Sequence, residues 1–127
     1  LAHQYRRYEE ELFFGPNSVS VGWVPYYHDH CLIAGILNVI WGNGSLVLMS
    51  PMSFLKKPSL WFEIASRFQA THTAGPNFGY ELLMKKITAE EIKSMDLSHL
   101  VVVQNAAEPV RFHTMEKLKA MFRESGL

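Results

Sequence analysis

The sequence has little cysteine, no net charge and no long apolar run. A single cysteine among 127 residues excludes an internal disulfide framework and favours a reducing, cytoplasmic location. Twelve basic residues balance twelve acidic ones, which argues against a nucleic-acid partner, because such binders carry a basic surface. The longest apolar run, residues 31–41, is interrupted by Asn38 and too short to be a transmembrane segment, and the first residues do not have the pattern of a signal peptide.

The two ends of the chain read as cuts inside a larger protein. Leu1, Tyr5, Tyr8 and Leu12 recur at helical spacing from the first residue, and residues 125–127 have the pattern of a helix end. Apolar residues make up 48% of the chain, enough to bury a core. We therefore expect a single fragment of a domain, with a leading helix and linker over 1–18 and an α/β core over 19–127.

Short apolar runs alternate with helical patterns along this core. Strands are predicted at residues 19–23, 46–49, 70–74 and 100–103, and the segments between them have the length of βαβ connections. This alternation predicts an α/β fold with a mostly parallel sheet flanked by helices. Within it, residues 32–41 read as a buried helix, Asn77 as a helix N-cap, and residues 88–91 as a capping box.

Four polar or glycine-containing segments follow the predicted strands. They are residues 25–31, 50–54, 74–78 and 105–109, and we interpret all four as loops or turns. Ligands of open α/β sheets bind beyond the carboxyl ends of the strands, which meet at one edge when the strands are parallel. The sequence therefore predicts a binding site built from these four segments together.

The cluster His28-Asp29-His30-Cys31 admits three interpretations. A zinc site needs three or four ligands, but the neighbours His30 and Cys31 rarely face one ion, and the other histidines lack ligand spacing. A Cys–His nucleophile has the same difficulty and no third member. The simplest interpretation is that Asp29 caps a helix that begins near His30. No metal site is predicted.

Two further segments leave a functional and a structural interpretation open. The glycines of Gly75-Pro76-Asn77-Phe78-Gly79 allow either close approach of a ligand or only a tight strand-to-helix turn. Small residues in Asn105–Pro109 leave room for a flat ligand. Glu108 there could recognise a polar group, or it could be the first acidic residue of the next helix.

The ordered set of motifs from Trp23 onward resembles the fatty acyl-AMP ligases, a branch of the adenylate-forming superfamily. The matching stretches are WVPYYHDHCLIAG at 23–35, LVLMSP at 46–51, FLKKPSLW at 54–61, AGPNFGYEL at 74–82, DLS at 96–98 and NAAEPV at 105–110. Each stretch is short, and it is their order and spacing that carry the resemblance.

The resemblance implies an enzyme that uses ATP and Mg²⁺ to convert a fatty acid into acyl-AMP and pyrophosphate. The acyl group would then pass to the thiol of an acyl carrier protein or polyketide synthase. By matching position, His28 would be the catalytic residue near the acyl carboxylate and the phosphate. Gly75, Pro76, Asn77 and Phe78 would line the acyl tunnel. The adenine-side wall would be formed by Asn105, Ala106, Ala107, Glu108 and Pro109.

The sequence also departs from that family. His30 and Cys31 stand where the family has Met-Gly, and Ala34, Ala74 and Ala106 replace glycines, which adds bulk near the site. The family's phosphate loop, its downstream magnesium-binding segment and its C-terminal lysine are not found in these 127 residues. We therefore expect a partial subdomain of the adenylate-forming fold that is inactive alone and binds no cofactor tightly. The alternatives are a portion of an acyl-CoA ligase, or of a non-catalytic adenylating-like domain in a eukaryotic scaffold, similar to the disco-interacting proteins.

Overall fold

A computed structural model describes residues 2–127, so the predicted place of Leu1 on the first helix lies outside the described residues. Helices and strands alternate along the chain. In chain order they are α1 (Ala2–Leu12), β1 (Val19–Gly22), a π-helix (His30–Leu37) that continues into α2 (Asn38–Gly42), β2 (Ser45–Leu48), α3 (Pro51–Lys56), α4 (Leu60–Arg67), β3 (His72–Gly75), α5 (Asn77–Lys86), α6 (Ala89–Lys93), β4 (Val102–Asn105), α7 (Phe112–Met121) and a 3₁₀ turn (Arg123–Ser125).

The four strands form one sheet in the order β2-β1-β3-β4, and every neighbouring pair is parallel. The predicted α/β class and parallel sheet are confirmed. After β1 the chain moves to one side to form β2 and then crosses to the other side of β1 to form β3. The direction of winding therefore reverses between β1 and β3, and a crevice opens beyond the carboxyl ends of strands at such a switch point.

One face of the sheet carries the main core. Val21 from β1 packs there with an aromatic stack in which the rings of Trp23 and Phe54 lie 3.8 Å apart and nearly parallel. Trp61 of α4 is fully buried in this core, and its indole Nε1 donates to the Thr73 hydroxyl at 2.7 Å. The ends of β1 and β3 are thus held on this side by close-packed aromatic rings, which makes their edge a rigid platform.

The opposite face of the sheet is only partly covered. The segment predicted as a buried helix, residues 32–41, is a π-helix followed by α2, and the prediction that it is buried is wrong. Ile40 is 72% exposed and Trp41 is 50% exposed, whereas Cys31 and Asn38 turn toward the sheet and are buried. Periodicity could not reveal this difference, because Asn38 is the only polar residue of the run and it faces the sheet rather than the solvent.

Two other local predictions can be checked directly. The capping box is confirmed, since the Thr88 hydroxyl accepts from the Glu91 backbone N–H and the Glu91 carboxylate accepts from the Thr88 backbone N–H. The prediction that residues 50–54 form a loop is wrong, because α3 begins at Pro51. Ser50 caps this helix by accepting from the Ser53 amide at 3.0 Å. No helix in the described part of the chain is long and apolar enough to cross a bilayer.

Candidate active site at the carboxyl edge of the sheet

The predicted site segments meet at the carboxyl edge of the sheet. The parallel pairing places the ends of β1, β3 and β4 side by side, and residues 25–31, 76–78 and 106–109 follow these ends. The Phe78 backbone amide donates to Glu108 Oε1 at 2.7 Å. Asp29, His30 and Ala107 line one cavity that is open to solvent. Three of the four predicted segments therefore lie close together in space, although they are far apart in sequence.

His28 lies in the exposed turn before the π-helix, and its ring is held by its neighbour. His28 Nδ1 lies 2.7 Å from Asp29 Oδ1, and the same carboxylate oxygen accepts from the His30 amide at 2.8 Å. The His30 amide is also 3.1 Å from His28 Nδ1, but that nitrogen cannot accept this bond while it donates to Asp29. The Nδ1–H tautomer satisfies all three groups, so Nε2 is the ring nitrogen left for a ligand.

Asp29 occupies the cap position of the π-helix, as predicted, although it accepts from the first helical amide rather than the second or third. Cys31 is buried, and burial raises the pKa of its thiol. A raised thiol pKa keeps the sulfur protonated near neutral pH, so nothing activates Cys31 as a nucleophile. Burial also lowers the pKa of His30, with a further lowering from His28 that Asp29 opposes. Among residues 2–127, no group of three or more His, Cys, Asp or Glu side chains is placed to hold a metal ion.

Two glycines, Gly75 at the end of β3 and Gly79 in the first turn of α5, make room for the aromatic core. A Cβ at Gly75 would lie 2.7 Å from Cη2 of Trp61, and a Cβ at Gly79 would lie 2.6 Å from Cζ2 of Trp23. Both distances are shorter than a van der Waals contact, so only glycine fits beneath these rings. Packing therefore explains the two glycines without a ligand, and a direct role of Gly75 in substrate binding stays a prediction.

The prediction that Asn77 is the N-cap of α5 is wrong. Pro76 occupies the cap position and Asn77 is the first helical residue. Asn77 is only 3% exposed, and its side chain bonds both within α5 and to residues at and beyond the end of β4. Its Oδ1 accepts from Asn105 Nδ2 at 3.0 Å and from the Arg111 amide at 3.3 Å, and its Nδ2 donates to Glu81 at 2.8 Å. A sequence shows only a polar residue after a proline turn here and contains no sign of these distant partners.

Glu108 is not in the first turn of the following helix, because α7 begins at Phe112. It contacts a different helix instead. Its carboxylate caps the first turn of α5 through the Phe78 amide, 30 residues away, where the helix dipole favours a negative charge. The neighbouring Ala107 has a φ of +71°, a left-handed conformation that a side chain disfavours. Ala106 is held by its amide, which donates to the Gly75 carbonyl at 3.2 Å. The segment thus keeps a strained turn between fixed points.

A groove on the partly covered face of the sheet was not predicted. It lies between the strands, the π-helix and α1, and its cavity volume is about 50 Å³. Its walls include Leu46, Leu48 and Val102 together with the polar side chains of His30 and His72. Burial lowers the pKa of His72, whose Nε2 lies 2.6 Å from the Leu12 carbonyl oxygen, a contact that opposes this shift. The sequence contained one sign of this groove, which is a histidine, His72, within an otherwise buried strand.

Comparison with known proteins agrees with this geometry. The model of the family described as AMP-binding enzyme matches residues 1–126. A medium-chain-fatty-acid–[acyl-carrier-protein] ligase of Moorena producens, JamA, is 35% identical over 126 residues, which are 99% of this chain and 21% of that protein. The probable long-chain-fatty-acid–AMP ligase FadD30 of Mycobacterium tuberculosis is 33% identical over 127 residues, 100% of this chain and 22% of that protein.

Solved structures show the same fold. The fatty acyl-adenylate ligase of L. pneumophila, determined in complex with acyl adenylate and pyrophosphate, superposes with a TM-score of 0.91 at 34% identity. The alignment covers 99% of this chain and 22% of that one, so the chain spans about a fifth of the length of the relatives it matches. The sheet order, the motifs at its carboxyl edge and the family match over nearly all residues lead to one conclusion. The chain belongs to the family of AMP-binding enzymes, and fatty acyl-AMP ligases are among its homologues.

Proposed function

We propose that this chain is the central part of a ligase that activates a fatty acid with ATP and passes the acyl group to a carrier-protein thiol. The observation that carries the proposal is the hydrogen bond between the Phe78 amide and Glu108. It joins the segment expected to face the acyl group to the segment expected to face the nucleotide, in a chain that belongs to the AMP-binding enzymes. Both segments lie at the carboxyl edge, where parallel sheets bind ligands.

The proposed reaction has two balanced steps. A carboxylate oxygen of the fatty acid attacks the α-phosphorus of ATP, the bond from that phosphorus to the bridging oxygen breaks, and pyrophosphate leaves. The sulfur of a carrier thiol then attacks the acyl carbonyl, AMP leaves and a thioester forms, with the thiol proton lost to solvent. Each step exchanges one bond for another, so neither an oxidant nor a reductant is required.

His28 suits a position beside the reacting oxygens. When the imidazole carries both protons, Nδ1–H stays on Asp29, which fixes the ring, and Nε2–H can donate to a carboxylate or phosphate oxygen. Hydrogen-bond donors that are already oriented toward the charge developing in the transition state contribute much of the rate enhancement of many enzymes. Residues 2–127 offer no cluster of side chains that would fit Mg²⁺, so we assign no ligand to that ion and derive no step through it.

We place the hydrocarbon chain in the groove, whose cavity of about 50 Å³ must widen to hold it. Its walls are largely apolar, as binding sites for long apolar substrates require, and it lies beneath the π-helix that follows His28. Gly75 to Phe78 do not line this groove, but Ala74, the residue before them, does. Phe78 itself is 50% exposed and packs edge-on against Trp23 with ring centres 5.7 Å apart. The acyl assignment of residues 75–78 therefore rests on the resemblance alone.

ATP–pyrophosphate exchange in the complete protein that contains this chain tests the proposal. We expect exchange with medium or long fatty acids and not with amino acids, and no exchange by the 127 residues alone. His28→Ala should reduce exchange by about a hundredfold or more, the typical loss on removing one oxyanion donor. His99→Ala is the matched control, since this exposed histidine precedes β4 at the opposite edge of the sheet.

The outcomes separate the alternatives. A folded complete protein without exchange for any acid would refute the proposed activity and favour a non-catalytic domain. Equal rates for His28→Ala and His99→Ala would refute the role of His28. Acyl transfer to coenzyme A in place of a carrier-protein thiol would identify an acyl-CoA ligase.

A further inference from the structure

The segment between β4 and α7 is attached at three points, one at the end of β3 and two at the start of α5. Ala106 donates its amide to the Gly75 carbonyl, the Glu108 carboxylate accepts from the Phe78 amide, and the Arg111 amide donates to Asn77 Oδ1. Between the first two points lies the strained turn at Ala107. The path of the proposed nucleotide-side segment is therefore set by residues outside it, at the end of β3 and the start of α5.

The neighbours of Asn77 fix the orientation of its carboxamide. The Arg111 backbone amide can only donate, so the Asn77 oxygen must face it, and the Glu81 carboxylate can only accept, so the Asn77 nitrogen must face that side. Glu81 is held in turn by the Thr114 hydroxyl at 3.2 Å. Thus Asn77 connects the beginning of α5 to the beginning of α7.

This orientation determines that of Asn105 at the end of β4. Because the Asn77 oxygen faces Asn105, the amide that meets it must be Asn105 Nδ2, at 3.0 Å. Asn105 Oδ1 is then turned away, and it is buried without a hydrogen-bond partner among residues 2–127. A buried acceptor without a partner is costly in a closed core, whereas a bound N–H or O–H donor would satisfy it.

We infer that Asn77 is a positioning residue, which sets the path of residues 105–111 and presents Asn105 Oδ1 toward a donor on the nucleotide. This role differs from the direct contact with the acyl substrate that the resemblance implies for Asn77. The inference rests on the proposed function for the identity of the ligand. The arrangement of the segment itself requires no ligand and can be tested separately.

The main variant is Asn77→Asp. The new carboxylate has no proton to share with the Glu81 carboxylate, so like-charge repulsion turns it away from its place and weakens the bonds that it accepts from Asn105 and from the Arg111 amide. Glu81→Gln in the same protein restores a donor and should rescue the effect. Ser125→Ala is the matched control, because it removes another buried bond, from Ser125 Oγ to the Ile92 carbonyl at 2.6 Å, away from this edge.

Amide hydrogen exchange, measured without any ligand, reports how firmly residues 106–111 are held in place. Asn77→Asp should speed exchange at residues 106–111 by about tenfold, as for loss of one hydrogen bond, and the added Glu81→Gln should reverse this. Ser125→Ala should leave these amides unchanged. If Asn77→Asp does not fold, Asn105→Ser, which removes only the bond to Asn77, carries the same expectation. Equal exchange at residues 106–111 in the variant and in Ser125→Ala would overturn the inference.

ATP–pyrophosphate exchange in the complete protein supplies the second readout. Asn77→Asp should raise the KM for ATP by about tenfold and leave the KM for the fatty acid within about twofold, with rescue by Glu81→Gln. A rise in the KM for the acid alone would show direct substrate contact and overturn the inference. If the wild type has no activity, the proposed function fails, and hydrogen exchange alone decides whether Asn77 positions the segment.

Discussion

Replacement of Gly75 by alanine tests whether the aromatic core or a ligand requires glycine at the end of β3. The new methyl group would lie 2.7 Å from Cη2 and 3.2 Å from Cζ2 of Trp61, a fully buried ring whose Nε1 is bonded to Thr73. The indole has no free space to enter, so the backbone or the ring must shift. Overpacking of this kind costs about 1 to 3 kcal/mol.

Urea unfolding measures this cost as a free energy, and thermal unfolding measures it as a change in Tm, both followed by circular dichroism. For a chain of this length the entropy of unfolding is about 0.27 kcal/mol/K, so a loss of about 2 kcal/mol lowers Tm by about 7 °C. Gly15→Ala is the control, because a Cβ there meets no atom within 4 Å. Gly75→Ala should be clearly less stable than Gly15→Ala.

A double-mutant cycle assigns the effect to Trp61. Trp61→Phe removes the outer part of the indole that the new methyl group would meet, so Gly75→Ala should cost less by about 1 kcal/mol or more in that background. An equal cost in both backgrounds would refute the packing explanation. Unchanged stability of Gly75→Ala combined with loss of substrate binding would instead favour close approach of a ligand to the backbone.

Two other predictions concern strain and pH. Ala107→Gly should stabilise the protein by up to about 1 kcal/mol, because Ala107 has a φ of +71° and glycine adopts this conformation without the side-chain penalty. Urea unfolding measures the change, with the neighbouring Ala106→Gly as the control. Equal destabilisation by the two substitutions would contradict the prediction. The second prediction follows from the lowered pKa of His72, which is caused mainly by burial. In the unfolded chain the His72 imidazole takes up a proton near pH 6.5, whereas in the folded protein it stays neutral at that pH. The free energy of unfolding should therefore fall as the pH drops below about 6.5. His72→Gln should make the free energy of unfolding depend less on pH between about pH 7.5 and about 5.5, while the contribution of His30 remains. The same dependence in the wild type and in His72→Gln would show that His72 does not take up a proton on unfolding.

The exposed apolar residues of α2 show a limit of local pattern reading. The run from residue 31 to 41 is apolar apart from Asn38, and the sequence correctly indicated a helix there. It could not show that Ile40 and Trp41 face outward, since exposure depends on which surfaces are packed against the helix. The π-helical form of its first half was likewise not readable from composition.

Strand positions and the edge where the site lies were determined by the sequence alone. Alternation of apolar runs with helical patterns, and the turn residues between them, dictate parallel strands whose carboxyl ends share one side. The capping box at Thr88 and the cap at Asp29 are also local, since each involves groups within a few residues. The motif order carried the family resemblance in the same way.

The partners of Asn77, Gly75 and Glu108 were decided only by the tertiary structure. Asn77 bonds to residues 28 and 34 positions away, Gly75 lies beneath the Trp61 ring, and Glu108 caps a helix 30 residues earlier. Such contacts arise because the sheet brings together strand ends that are distant in the chain. A sequence specifies which side chains can donate, accept or fill space, and the packing of the whole chain decides which of them meet.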